Sequence, residues 1–376
     1  MRVALISRSS MYKIRGGDTI QVLKTAEELN KLGVNAEVFR ACDIIPYDKF
    51  DLLHFFNIIR PSDHLYHINR SGKPFVVSTI YVDYTEFDRN RRNLFHKRFR
   101  RNLFHKSMLG LLGQSGAEYL KNLYRFANKQ DKLVSPEYLL GHKRAIKTVF
   151  KKTSMILPNS NSELQRIIKS FQYSGHHQVV PNGVDLSLFG KIQTDVERQD
   201  KVLCVAHIYG LKNQLALINA CKTLNVPLEL VGSPTPNHVS YYELCKKIGG
   251  DLVSFTDFMP QEKLMKVYAG AKVHAMPSWF ETTGLSSLEA GAMGCNLVVG
   301  TGGDTRDYYK ADTWFCWPQE QESIEKALIN ALNTPNSMQL RETILSGYTW
   351  NMAAEVTLKA YKMVLNNPER LVETPE

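Results

Sequence analysis

Apolar residues in this chain occur in short unbroken runs, separated by stretches in which they recur every three or four positions. Arg2–Ser7, Val34–Phe39, Leu52–Phe56 and Phe75–Ile80 are runs of the first kind. They are apolar or β-branched without sustained polar alternation, as in parallel strands covered on both faces. Between the first two, Ile20, Leu23, Ala26 and Leu29 mark one face of a helix over 19–32, with Gly33 as its stop. Strand alternating with helix is the signature of a doubly wound α/β domain. From 88 to 152 the rhythm gives way to a basic stretch of helical pattern. It contains a tandem duplication, Arg91–Lys97 recurring at Arg100–Lys106, too short to build a solenoid. The alternation then returns: a strand at Met155–Leu157, another at Val179–Asp185 ending in a turn, a strand at Val202–Ala206 and a helix at Gln214–Leu224. Further strands are expected at 228–231, 253–255, 273–276 and 297–299. Polar Gly190–Asp200 reads as the linker between two domains, and two such domains imply a cleft where their strand ends face each other.

The length of 376 residues fits this division. With 43% hydrophobic and 22% charged residues, disordered and collagenous chains are excluded. Six cysteines are scattered without a C-x-x-C pair and read as buried thiols of a reducing compartment. No apolar run approaches the ~18 residues of a membrane span, and Val3–Ile6 is too short for a signal-peptide core. A cytoplasmic location is expected. The charge is unevenly shared. Residues 1–190 carry 30 Lys and Arg against 16 Asp and Glu, a net of +14, whereas 191–376 carry 17 against 21, a net of −4. An anionic partner is therefore expected for the N-terminal half: nucleic acid, a phosphorylated ligand or an anionic membrane. Within 89–112, Arg89, Arg91, Arg92, Lys97, Arg98, Arg100, Arg101 and Lys106 meet no acid before Glu118, and Phe95, Phe99 and Leu103 form one apolar stripe. A basic amphipathic helix of this kind can lie on an anionic membrane surface, each cation contributing ~1 kcal/mol. The plainer reading packs the stripe on the domain and leaves the arginines solvated.

Candidate chemistry is concentrated in the C-terminal half. After the strand ending at Met276, a loop carries Glu281, and a helix begins near Gly284. The amides of Thr283, Gly284 and Leu285 at that helix start form an anion site. Glu281 can accept hydrogen bonds from sugar hydroxyls, and Glu289 from a ribose. Spacing alone leaves open an acidic first turn that merely complements the helix dipole. In a second loop, His207 to Gln214, Lys212 stands at the start of a helix, where the dipole disfavours a cation and an anionic ligand would welcome one. Gly16-Gly17 follows the first strand, without the spacing of a dinucleotide fingerprint or a P-loop. There is no Asp-x-Asp and no His or Cys cluster with ligand spacing, so no metal or other cofactor is expected.

Glu281 and Glu289 stand inside Pro-Ser-x-x-Glu-x-x-Gly-Leu-x-x-Leu-Glu-Ala. Together with Val180-Pro-Asn-Gly-Val-Asp185, Leu157-Pro-Asn-Ser160, the Lys212 loop and Gly16-Gly-Asp-Thr-Ile-Gln21, this resembles the retaining glycosyltransferases of family 4. The resemblance implies the GT-B fold: an α/β architecture of two doubly wound Rossmann-like domains facing across a cleft. Residues 1–188 would bind the acceptor, 189–348 the nucleotide sugar, and a helix in 349–376 would cross back to the N-terminal domain. It further implies Lys212 on the donor diphosphate, Glu281 near the transferred sugar, Glu289 on the ribose, Gly284 and Leu285 on the diphosphate, and Gly16 and Gly17 facing it from the other domain. Two departures stand out. Ala206-His207 replaces the usual Gly-Arg, turning a fixed cation into a titratable one. Thr79-Ile-Tyr-Val-Asp83 occupies the place where many relatives have a histidine, with Asp83 the nearest residue for the acceptor. The implied partners are a nucleotide sugar and a glycan or lipid-linked glycan acceptor, with surface polysaccharide assembly at the inner face of the membrane as the setting.

Two other classes compete. A nucleotide-sugar epimerase or hydrolase of the same fold would have little use for a basic, membrane-facing insertion. A nucleic-acid-binding protein would leave Glu281 and Glu289 idle, and no nucleic-acid motif accompanies the charge, so no nucleic acid is expected as partner.

Overall fold

A computed structural model describes residues 1–13, 15–83, 87, 141–191, 196–310 and 312–366. The chain divides into two compact units, one formed by Met1–Pro181 with Ala353–Glu376 and the other by Asn182–Met352.

The first unit holds a five-stranded sheet of order β2-β1-β3-β4-β5, all parallel. Its strands are β1 (Arg2–Ser7), β2 (Asn35–Arg40), β3 (Leu52–Phe56), β4 (Phe75–Ser78) and β5 (Met155–Ile156). All five residues of β3 are buried, which explains the unbroken apolar run: both faces of a central parallel strand are covered. Helices α1 (Gly17–Lys31), α2 (Pro61–Ser71), α3 (His142–Lys152) and α4 (Asn161–Phe171) pack on it. The second unit holds six parallel strands in the order β11-β10-β9-β6-β7-β8. In chain order these are β6 (Gln199–Val205), β7 (Leu228–Val231), β8 (Val253–Thr256), β9 (Ala271–Met276), β10 (Asn296–Gly300) and β11 (Thr313–Cys316). Its helices are α5 (Leu186–Phe189), α6 (Gln214–Leu224), α7 (Val239–Gly249), α8 (Gln261–Ala269), α9 (Leu285–Ala292), α10 (Thr305–Tyr308), α11 (Gln321–Asn333) and α12 (Gln339–Gly347). In each sheet the chain first builds outward on one side, then crosses to the other. The order reverses between β1 and β3 and between β6 and β9, and such switch points are where α/β sheets bind ligands.

A last helix, α13 (Trp350–Asn366), begins in the second unit, and from Ala353 onward it belongs to the first. There Tyr361 is fully buried, and its hydroxyl lies 2.6 Å from Nδ1 of His54 on β3. The other imidazole nitrogen of His54 lies 2.9 Å from Ser78 Oγ. Burial lowers the His54 pKa to about 3, so the ring is neutral and bridges the two hydroxyls.

Several expectations are corrected. Val179–Asp185 is not a strand: Val184 forms only an isolated bridge to Thr349, and the segment carries the chain from one unit to the next. Strand β4 stops at Ser78, two residues early, because Ile80 adopts a positive φ of 45°. The division falls at Pro181, ahead of the expected 188, and the residues after it already pack in the second unit, with Phe189 fully buried in its core. Gly190–Asp200 is not wholly linker, since β6 already begins at Gln199, whose amide bonds the Gly270 carbonyl at 2.9 Å. Of the six cysteines, Cys42 is exposed, in the turn following β2. The basic segment 88–140, with its duplication and its proposed membrane face at 89–112, lies outside the described residues; of the expected insertion, α3 is the described part. No helix among the described residues is long and apolar enough to cross a membrane.

Candidate functional site

The switch point of the second unit brings together the two loops that the sequence singles out. Lys212 closes a 3₁₀ turn, Gly210–Lys212, between β6 and α6. The turn ends at Asn213, whose φ of 58° suits an asparagine and whose Nδ2 donates to the Pro318 carbonyl at 2.8 Å. Glu281 lies on the loop after the adjacent strand β9. The two loops are joined through their backbones, Trp279 N–H donating to the Leu211 carbonyl at 2.9 Å. Their side chains follow: Lys212 Nζ donates to Glu281 Oε1, with 16% and 11% side-chain exposure. Burial by itself would lower the lysine pKa, but the Glu281 carboxylate outweighs it, and the ammonium is held charged above its ordinary value.

A glycine loop behind β10 fixes Glu281. Glu281 N–H donates to the Gly302 carbonyl at 3.2 Å, and Asp304 N–H donates to the Glu281 carbonyl at 2.8 Å. A Cβ on Gly300, Gly302 or Gly303 would overlap the carbonyl oxygens of Ser278, Trp279 and Glu281 respectively. Here glycine is required because backbone lies directly on backbone. The cluster Gly300-Thr301-Gly302-Gly303, at the end of β10, is the sequence signal for this support and belongs to none of the motifs named above.

Next along the chain, the carbonyls of Thr283 and Gly284 both accept from the buried Tyr309 hydroxyl, at 3.0 and 2.9 Å. Gly284 caps α9 with a φ of 73°. Ser287 N–H is the first to bond back, to the Gly284 carbonyl at 2.8 Å. The preceding amides therefore have no acceptor within the helix, the usual arrangement at an anion-binding helix start. Thr283 Oγ1 is itself engaged, accepting from Asn182 Nδ2 at 3.1 Å and lying 3.3 Å from the Tyr308 hydroxyl.

Glu289, one turn into α9, is held from α8: Gln261 Nε2 donates to Oε1 at 2.5 Å and Tyr268 Oη to Oε2 at 2.9 Å. These two partners were not legible in the sequence, because neither belongs to a motif. Burial pushes the Glu289 carboxyl up to about 7, against the pull of both hydrogen bonds. A carboxyl raised in this way binds its proton more tightly folded than unfolded. Its contribution to stability therefore falls as pH rises from about 4.5 to about 7, by roughly 3 kcal/mol across the window. Glu289→Gln, neutral throughout, is expected to flatten that slope in urea melts between pH 5 and 7.5; an unchanged slope would assign the pH dependence elsewhere.

His207 is set apart from this pair. It lies half-buried at the end of β6, its Nδ1 3.4 Å from the Ser233 carbonyl on the β7 side, while its own carbonyl accepts from Gln214 Nε2 at 2.9 Å. Gly16, Gly17 and Asp83 belong to the first unit. Gly17 opens α1, and Arg8 pairs with Asp18 beside it at 2.6 Å. Asp83 follows β4, partly buried. Among the described residues, no group of three His, Cys, Asp or Glu side chains is placed to hold a metal ion.

The loops that carry these side chains fall within residues 190–344, and that stretch matches the family model of glycosyl transferases group 1. The matched stretch is 155 of the chain's 376 residues. Among curated relatives, the D-inositol 3-phosphate glycosyltransferase of Kribbella flavida is 26% identical over 259 residues, 60% of this chain and 59% of that protein. The match thus takes in under two thirds of the relative's length, and the same holds for the mannosyltransferase of Mycolicibacterium hassiacum, at 24% identity over 58% of this chain and 56% of that protein. Among solved structures, sucrose-phosphate synthase from Thermosynechococcus elongatus superposes with a TM-score of 0.73 at 16% identity, covering 97% of this chain and 99% of that one. At that identity the likeness establishes the fold alone: two doubly wound α/β units of the GT-B class.

Proposed function

We propose that the protein is a retaining, metal-independent glycosyltransferase that moves a sugar from a nucleoside-diphosphate sugar to a glycan or lipid-linked glycan acceptor. The observation that carries this reading is the Lys212–Glu281 pair at the β6/β9 switch point, beside the open helix start of α9. Cleavage of a sugar–phosphate bond leaves charge on the diphosphate. Lys212 and the α9 amides are the groups that would stabilise that charge, and preorganised donors of this kind are the largest single contribution in many enzymes. Lys212 would then exchange its carboxylate partner for phosphate oxygens, freeing Glu281 to accept hydrogen bonds from the sugar. Glu289, buried beside Tyr268, would take the ribose. In the retaining step, the bond from the sugar's anomeric carbon to phosphate oxygen breaks, the acceptor oxygen bonds that carbon on the same face, and the acceptor's proton passes to the departing diphosphate. Surface polysaccharide assembly at the cytoplasmic face of the membrane is the proposed setting, supported by the family resemblance and the basic stretch 89–112.

The test is a thermal-shift screen with UDP, GDP, ADP, CMP and their sugar conjugates in the presence of EDTA. A ligand at a hundred times its Kd contributes ~2.7 kcal/mol. One nucleoside diphosphate is expected to stabilise the wild type, and the shift to be lost in Glu289→Ala. No shift with any of them would overturn the reading.

A further inference from the structure

We infer that Glu163 is a positioning residue for acceptor binding, acting through the loop that leaves β4; the inference rests on the transferase reading above. Ser160-x-x-Glu163 at the start of α4 has the spacing of a capping box, in which the glutamate would return to the amide of Ser160. Half of that box is present, since Glu163 N–H donates to Ser160 Oγ at 2.9 Å. The carboxylate goes elsewhere. Oε1 accepts from Thr79 Oγ1 at 2.5 Å and from Tyr81 N–H at 2.7 Å, both more than 80 residues away in sequence, and Oε2 accepts from Asn159 N–H at 2.8 Å. Glu163 and Thr79 both have no exposed surface.

A fully buried carboxylate is costly unless its hydrogen bonds are met, and an apolar residue would fill the same core position without that cost. What the charge secures is the shape of the loop. Between the two groups held by Oε1 stands Ile80, a β-branched residue at a positive φ of 45°. Such residues avoid that region unless their surroundings impose it, and imposed strain is concentrated at functional sites. The surroundings here do impose it. Arg166, one turn further along α4, donates to the Tyr81 carbonyl at 3.2 Å, and the Tyr81 ring meets Phe171 edge-on at 5.3 Å. Asn159 is anchored in turn by a reciprocal amide pair with Gln21 of α1, at 2.9 and 3.2 Å. The clamped residues lead directly into Val82 and Asp83, at the carboxyl end of a parallel sheet, where α/β folds take their ligands. Asp83 is the acidic side chain this loop delivers there, and it suits the hydroxyl groups of a sugar acceptor.

The experiment compares wild type with Glu163→Gln and with the near-isosteric Thr79→Val, which keeps the variant series informative if the glutamine protein folds poorly. Transfer is measured to p-nitrophenyl α- and β-hexosides, with the donor taken from the nucleotide screen. Acceptor KM is expected to rise ~10-fold or more, as for a catalytic geometry displaced by about 1 Å. Donor Kd and acceptor-free donor hydrolysis are expected to stay within about twofold, and the Tyr81 amide to exchange faster with deuterium. Unchanged acceptor KM, or a parallel loss of donor affinity, would overturn the inference while leaving the transferase reading intact. A wild type that transfers to none of the glycosides and binds no nucleotide would overturn the transferase reading itself.

Discussion

Lys212→Met is expected to reduce kcat/KM for transfer by ~10²–10³ and to lower thermal stability in the same stroke. The two effects have different origins. On the proposed reading, the kinetic loss comes from removing the cation that would meet diphosphate charge. The stability loss comes from Glu281, left with a carboxylate at 11% exposure and its lysine gone. Breaking a buried pair from one side costs ~3–5 kcal/mol, more than the pair itself contributes, because the surviving charge is stranded. This pair is incompletely buried, so a value near 3 kcal/mol is expected, or roughly 6–12 °C in Tm for a unit of this size. Glu281→Gln should destabilise by the mirror-image route, leaving a cation that its carboxylate otherwise holds charged. The two substitutions combined should recover most of the stability and none of the turnover, a non-additivity that a double-mutant cycle reads directly. Recovery of turnover in the double variant would reduce the pair to a structural strut. Additive destabilisation would mean that the two side chains do not act on each other.

Gly303→Ala is expected to lower kcat/KM by ~10²-fold although residue 303 presents no side chain to any ligand. Its φ is 89°, and an added Cβ would overlap the Glu281 carbonyl oxygen, so the loop must retreat from the segment that carries Glu281. Strain of this kind costs ~1–3 kcal/mol. The activity effect is larger because the displaced backbone is the one that aims the carboxylate at Lys212. Gly347→Ala is the control: an added methyl there meets nothing within 4 Å. At such a position alanine is neutral or slightly stabilising. Melting curves and initial rates on both variants check the contrast. A Gly303→Ala protein with wild-type turnover would show that this loop does not position the site.

The sequence was most readable where structure is local. Helix Gln214–Leu224 and strand Leu228–Val231 have the expected bounds because their periodicity and their stop signals lie in one short window. Gln199 and Asp200, which open β6, are polar and exposed at the start of the strand, and so have the composition of the linker that precedes them. Val179–Asp185 has the composition of a strand, but Gly183 lies against the Thr349 backbone and the segment pairs only there, a partnership invisible without the fold. Strand β11 has only four residues and runs straight into Trp317-Pro318, so no turn signal marks its end, and it is absent from the strands that the sequence predicts. At the site, Lys212, Glu281, Gly284 and Glu289 were legible because their motifs are contiguous. Gln261, Tyr268 and Tyr309 were not, since each reaches its partner from a different helix or loop with no motif of its own.

The hydrogen bond between His54 and Tyr361 has a consequence for biosynthesis. A ribosome delivers β1 through α4 long before Tyr361, which lies 307 residues downstream of the histidine it completes. In between, all of Asn182–Met352 must be made. Domains ordinarily fold in the order they emerge, but this first unit would wait with the surface that α13 covers open to water and with solvent in place of Tyr361 at the His54 nitrogen. The nascent first unit therefore stays incomplete until α13 has emerged, and a helix made after the whole second unit is the one that seals the first sheet.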